Sequence, residues 1–108
     1  MIFYTHLFIP ERFAACTFCN LILIRPEYSD DMGLKAHELT HVDQFYRNWF
    51  HPLKYYFSKT YRLACEVEAY KVQLWHSPAN DLKFAGFIAE KYDLDITILQ
   101  ALELLRCE

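Results

Sequence analysis

Glycine is nearly missing from this chain: two residues in 108, beside four prolines, with no repeat, low-complexity run or Gly/Ser linker. Its loops must therefore be few and short, because glycine supplies much of the left-handed backbone that long irregular connections need. No stretch approaches the roughly 18 consecutive apolar residues of a membrane span. The amino end lacks the charged, apolar, small-residue order of a secretory signal, so the expected residence is cytoplasmic. Positive charge is also short. Eleven Lys and Arg against fourteen Asp and Glu give a net charge of -3, which offers no field for a phosphate backbone and argues against a nucleic-acid module. Lys54, Lys59 and Arg62 form only a small local basic stripe. The aromatic run Tyr55-Tyr56-Phe57 beside it suits a membrane surface, but equally a core. Cysteine is scarce too, at four residues, and without an export signal these are expected as reduced thiols. Cys16 and Cys19 have CxxC spacing, but a structural zinc there would need two more ligands from Cys65 and Cys107.

Apolar residues are plentiful, at 54%, with 18% aromatics. This is far more than a disordered chain carries, and the length suits a single domain over residues 1–108. The pattern predicts an α+β, mostly α fold: a short N-terminal β-hairpin or small sheet followed by about four helices. Cys19 to Arg25, a β-branched apolar run closed by Pro26, is the best strand, with Ile2 to Phe8 second and an antiparallel pairing expected between them. Ser29-Asp30-Asp31 supplies N-cap chemistry for a helix from about Met32 to Phe50. Pro52 starts another, broken or bent near Ser58 to Thr60 and carrying Tyr61 to Trp75. Ser77-Pro78 opens a third through about Tyr92, and Asp95 caps a last one over Ile96 to Arg106.

On the first helix lies His37-Glu38-Leu39-Thr40-His41. Residues i and i+4 stack on one helix face, so both imidazoles can reach one ion while Glu38 reaches water beside it. By composition such a pattern arises by chance in roughly one or two chains per hundred of this kind. A catalytic zinc needs a third protein donor. Thirteen residues separate His37 from Phe50 and thirteen separate Leu53 from Glu66, so a helical hairpin turning at His51-Pro52 would bring Glu66 level with His37. Glu68, the alternative ligand, lies about 200° round the helix from Glu66, and the two cannot face one ion together. Gln44, three residues after His41, lies beside the metal face. His51, His6 and His76 are expected to be non-ligands.

HELTH, the following Val42-Asp43-Gln44, and Glu66-Val67-Glu68-Ala69-Tyr70 together resemble the zincin metallopeptidases of the gluzincin type. More narrowly they resemble small uncharacterised bacterial and phage-borne proteins with a HELxHVxQ helix. The resemblance covers about Asp30 to Leu74. It implies a minimal zincin-like domain holding one Zn²⁺ on His37, His41 and Glu66, with Glu38 as general base for hydrolysis of a peptide or protein substrate. In E-x-x-A-D, the family's pattern for the second helix, Tyr70 stands in place of the aspartate that supports a ligand histidine. Tyr70 or Tyr61 is then a candidate oxyanion donor. The competing expectation is a non-catalytic interaction module, or a degenerate zincin, in which the metal only staples two helices or a partner protein completes the site.

Overall fold

A computed structural model describes residues 1–107 of the chain. It is α+β and mostly helical, with a three-stranded sheet at the N-terminus and five α-helices among the described residues. The strands are β1 (Ile2–Tyr4), β2 (Ala15–Phe18) and β3 (Leu21–Ile24). The helices are α1 (Met32–Arg47), α2 (His51–Phe57), α3 (Lys59–His76), α4 (Asp81–Lys91) and α5 (Ile98–Arg106).

The expected antiparallel pairing of the first and last strands is corrected. The sheet order is β1-β3-β2, and β1 runs parallel to β3 with Ile2 opposite Ile22. The hairpin partner of β3 is instead β2, where Ala15 faces Ile24 and Phe18 faces Leu21. Cys19, read from sequence as the start of a strand, sits in the tight turn between them at φ 55°. Such a left-handed backbone is uncommon for a residue with a Cβ, and Cys-Asn is not one of the Asn-Gly or Asp-Gly pairs that mark a hairpin turn. The connection from β1 to β2, which joins the two edges of the sheet, is held by Arg25. Its guanidinium donates to the carbonyls of Phe13 at 3.0 Å and of Ile9 and Pro10 at 3.2 Å each. Those loop carbonyls are thus satisfied without a strand ladder.

Asp31 caps α1, its carboxylate accepting from the Leu34 amide at 3.0 Å. The helix stops three residues earlier than expected, at Arg47, because Asn48 takes extended backbone and its side chain accepts from the Phe50 amide. Of the break or bend expected near Ser58, the structure shows a full break. Ser58 ends α2 and caps α3 by accepting from the Tyr61 amide at 3.1 Å. At the far end, Pro78–Asn80 form a 3-10 turn before α4. Asp95 does not cap the last helix. It lies at φ 57° and pairs with Lys59 at 2.5 Å, while Thr97 and Gln100 form a reciprocal capping box on α5. That serine- or threonine-to-glutamine spacing is itself a helix-start signature.

Two apolar clusters flank the α1–α3 pair. Ala15, Ile22 and Ile24 of the sheet pack with Leu34 and Val42 of α1. Tyr70 of α3 packs with Phe84, Ala85 and Ile88 of α4, Leu94, and Ala101 and Leu105 of α5. Burial of these faces fixes α1 against α3 from both sides, and the polar cluster lies along that seam.

Candidate metal centre

His37 and His41, one turn apart on α1, are buried with their rings edge to face at 4.9 Å. Their Nε2 atoms are 3.2 Å apart. Glu66, on α3 and 1% exposed, places Oε1 3.3 Å from His37 Nε2 and Oε2 3.2 Å from His41 Nε2. These three are the one group of metal-ligating side chains that converges among the described residues. Ligands about 2.0–2.1 Å from a tetrahedral ion lie about 3.3 Å from one another. One ligand atom from each of the three residues lies within 4.8 Å of the other two, close enough to converge on one small cation, and the buried His-His-Glu group can hold a metal ion. Glu66 Oε1 makes no hydrogen bond among the described residues, a desolvation cost for a buried carboxylate that a cation would offset.

Charge in the cluster is strongly coupled. Burial disfavours charge on His41, but the adjacent Glu66 carboxylate outweighs it and lifts the imidazole to about 9. Burial likewise pushes Glu66 up, but His41 and His37 hold it well below the usual carboxylate range. Without a metal, a proton on His41 takes the cation's place.

Each histidine is oriented differently. His41 Nδ1 donates to Gln44 Oε1 at 2.9 Å. The Gln44 amide nitrogen donates to the Cys65 carbonyl at 3.0 Å and to Glu68 Oε1 at 2.8 Å, so its oxygen is left to face the histidine. That bond puts the proton on Nδ1 and leaves the Nε2 lone pair for an ion. His37 Nδ1 is buried with no partner. Its ring is instead pinned edge-on against Tyr70, centroid to centroid 4.3 Å. Packing, and not a hydrogen bond on Nδ1, holds this ring among the described residues.

Glu38 is buried beside the cluster, with Oε2 3.7 Å from His37 Nε2. Its other oxygen accepts from the Thr17 hydroxyl of β2 at 2.8 Å. The site opens into a cavity of about 300 Å³ whose walls come from the Pro10–Cys19 segment, from α2 through His51, Pro52, Tyr55 and Tyr56, and from Tyr92.

No family model, curated protein or solved structure matches this chain.

The remaining sequence expectations divide as follows. Glu68 is turned away from the cluster, accepting from Gln44 and from Arg47 at 2.8 Å, so the alternative ligand is corrected to a support for Gln44. Tyr70 touches His37 through its ring, and the hydroxyl named as an oxyanion donor shares a hydrogen bond with Tyr92 at 2.7 Å. Tyr61 is likewise engaged, with His51 at 2.7 Å. His51 is outside the donor group yet forms part of the cavity wall. Cys16 and Cys19 line the cavity as thiols, while Cys65 is buried next to His51 with Sγ 3.9 Å from Nδ1. No cysteine joins a metal cluster among the described residues.

Sequence reasoning missed Thr17 and Tyr55. The Tyr55 hydroxyl donates to Glu66 Oε2. Burial and the Glu66 charge raise this phenol far above its ordinary range, keeping it a neutral donor. The signal available was its i+4 spacing from His51, which puts both on the inner face of α2.

Proposed function

We propose that this protein is a zinc-dependent hydrolase acting on peptide bonds, with His37, His41 and Glu66 holding the ion and Glu38 as general base. The observation that carries this reading is a buried, convergent His-His-Glu donor set that faces a cavity and has a separately anchored carboxylate beside it. Two imidazoles and one carboxylate favour zinc among the common divalent ions, and three donors leave one position open. Zinc in such a site supplies Lewis acidity, polarising a carbonyl and acidifying water toward neutrality.

Glu38 is built to carry a proton. Thr17 fixes Oε1, which leaves Oε2 on the cluster side to accept a proton from attacking water and return it to the departing amine. Tyr55, neutral and directed into the cluster, donates to Glu66 Oε2 and so holds the third ligand in place. Ala15 to Cys19 line the cavity, and β2 is an edge of the sheet, so an extended peptide can add to that edge beside the donors. The alternative of a purely structural zinc calls for a fourth protein ligand. Cys65 and His51, the nearest candidates, are bonded elsewhere, and this favours the hydrolase.

The test is direct. Purified protein should bind one equivalent of zinc, and Glu38→Gln should retain the zinc while losing peptide hydrolysis on a denatured protein substrate. A chain that binds no zinc removes the reading, and equal hydrolysis by Glu38→Gln removes the assigned base.

A further inference from the structure

Helix α2 is inside out. His51 is 8% exposed and, with Tyr55, faces the metal-site cavity. Leu53, Tyr56 and Phe57 are instead 59, 74 and 77% exposed, and Trp49 and Phe50 just before the helix are 77 and 68% exposed. Phe50 at the N-cap, Leu53 and Phe57 recur at helical spacing with Tyr56 beside them, so these side chains form one outward face, and Trp49, stacked on Phe45 of α1, stands exposed just before it. A helix packed only against its own protein and water turns the other way. A contiguous apolar face of this kind on a small chain marks a contact surface. The expectation that Tyr56 and Phe57 suit the core is therefore not met. Of the aromatic run, only Tyr55 turns inward.

The charge on this face identifies what covers it. Between Gln44 and Cys65 there is no aspartate or glutamate, in a chain whose net charge is -3. Arg47 and Lys59 at the two ends are paired, with Asp43 and Glu68 and with Asp95. Lys54, on α2 itself, has no ion pair among the described residues, and its ammonium rests 5.7 Å from the centre of the Tyr61 ring. A Trp, Tyr and Phe face with an unpaired lysine and no acid has the composition of the headgroup boundary of a bilayer. There rings sit at the level of the headgroups and a lysine stem lies along apolar surface while its charge meets lipid phosphate. A second copy docked through the same face would set two Lys54 ammonium groups together with no carboxylate to offset them.

The geometry points to the outer face of α2, with Trp49 and Phe50, as a docking surface for an anionic lipid bilayer. Pro52 and Tyr56 also wall the cavity, so docking sets the rim of the metal site at the membrane surface. The proposal holds whether or not the site is hydrolytic.

The experiment uses the full chain carrying Trp75→Phe, which leaves Trp49 as the sole tryptophan. Adding vesicles of equal parts phosphatidylcholine and phosphatidylglycerol should move Trp49 emission to shorter wavelength and bring the protein down with the vesicles. Lys54→Glu should weaken binding roughly tenfold or more. Leu53→Ser with Phe57→Ser, both at exposed positions, should abolish binding while circular dichroism stays unchanged. Unchanged emission with the protein left in the supernatant overturns the proposal. So does equal binding by the folded Leu53/Phe57 variant, or by Lys54→Glu. A lipid-free dimer that Phe57→Ser disrupts would assign the face to a second copy and overturn it as well.

Discussion

At the scale of single residues, the orientation of His41 depends on one amide. Gln44 accepts from His41 Nδ1 and is itself held by Glu68 and the Cys65 carbonyl. Gln44→Ala should weaken metal binding by about 10–100-fold with little change in fold, read by competition against a chromogenic chelator. An unchanged affinity would show that packing alone orients the ring. The proton on His41 makes a second prediction. Its folded value of about 9 lies above the ordinary 6.5, so the His41–Glu66 pair stabilises the metal-free protein fully below pH 6.5. That contribution fades as pH rises through 9. Glu66 stays ionised throughout, so metal binding displaces essentially one proton, and affinity should climb about tenfold per pH unit between 7 and 9 before levelling. A flat profile over that window would contradict a charged His41.

At the scale of elements, the two glycines make opposite predictions. Gly33, in the first turn of α1, sits where the helix meets the end of α3. A Cβ there would lie 3.2 Å from His76 Cβ and 3.3 Å from Gln73 Cγ. Gly86 on α4 has nothing within 4 Å of its would-be Cβ. Gly86→Ala should therefore stabilise the protein by about 0.5–1 kcal/mol, as alanine does in a helix interior. Gly33→Ala should lose that gain by forcing α1 away from α3. Urea denaturation of both variants distinguishes them, and equal stabilisation would mean that the α1–α3 contact yields freely. Ser58 is the joint that makes α2 a separate helix, since it ends α2 and caps α3. Because α2 then folds over the cavity, its inner face brings His51 and Tyr55 to the site.

For the molecule as a whole, the metal group ties α1 to α3 at the seam between the two apolar clusters. A ligand at a hundred times its dissociation constant stabilises the folded state by about 2.7 kcal/mol. For a chain of this size that corresponds to a rise in melting temperature on the order of 10 °C. Zinc should produce it, a chelator should reverse it, and Glu66→Gln should abolish most of it. A melting temperature indifferent to zinc in the unaltered protein would mean that the group holds no ion.

The sequence by itself determined the features carried by neighbours along the chain. The stacking of His37 and His41 needs only a helix, Asp31 and Pro52 mark where helices begin, and the hydrophobic pattern places strands before helices. Even the pairing of Glu66 with His37 was legible, because two arms of equal length must come level when they fold back. The tertiary structure decided whatever depends on contacts between distant segments. The parallel β1–β3 pairing rests on an Arg25 clamp, and Glu38 is anchored by a threonine on a strand that the sequence did not announce. Tyr70 supports His37 through its ring because Tyr92, 22 residues on, takes its hydroxyl, and Tyr55 reaches Glu66 of the cluster from α2. Local spacing constrains which side chains share a face, whereas the partner each one meets is set by how the faces pack.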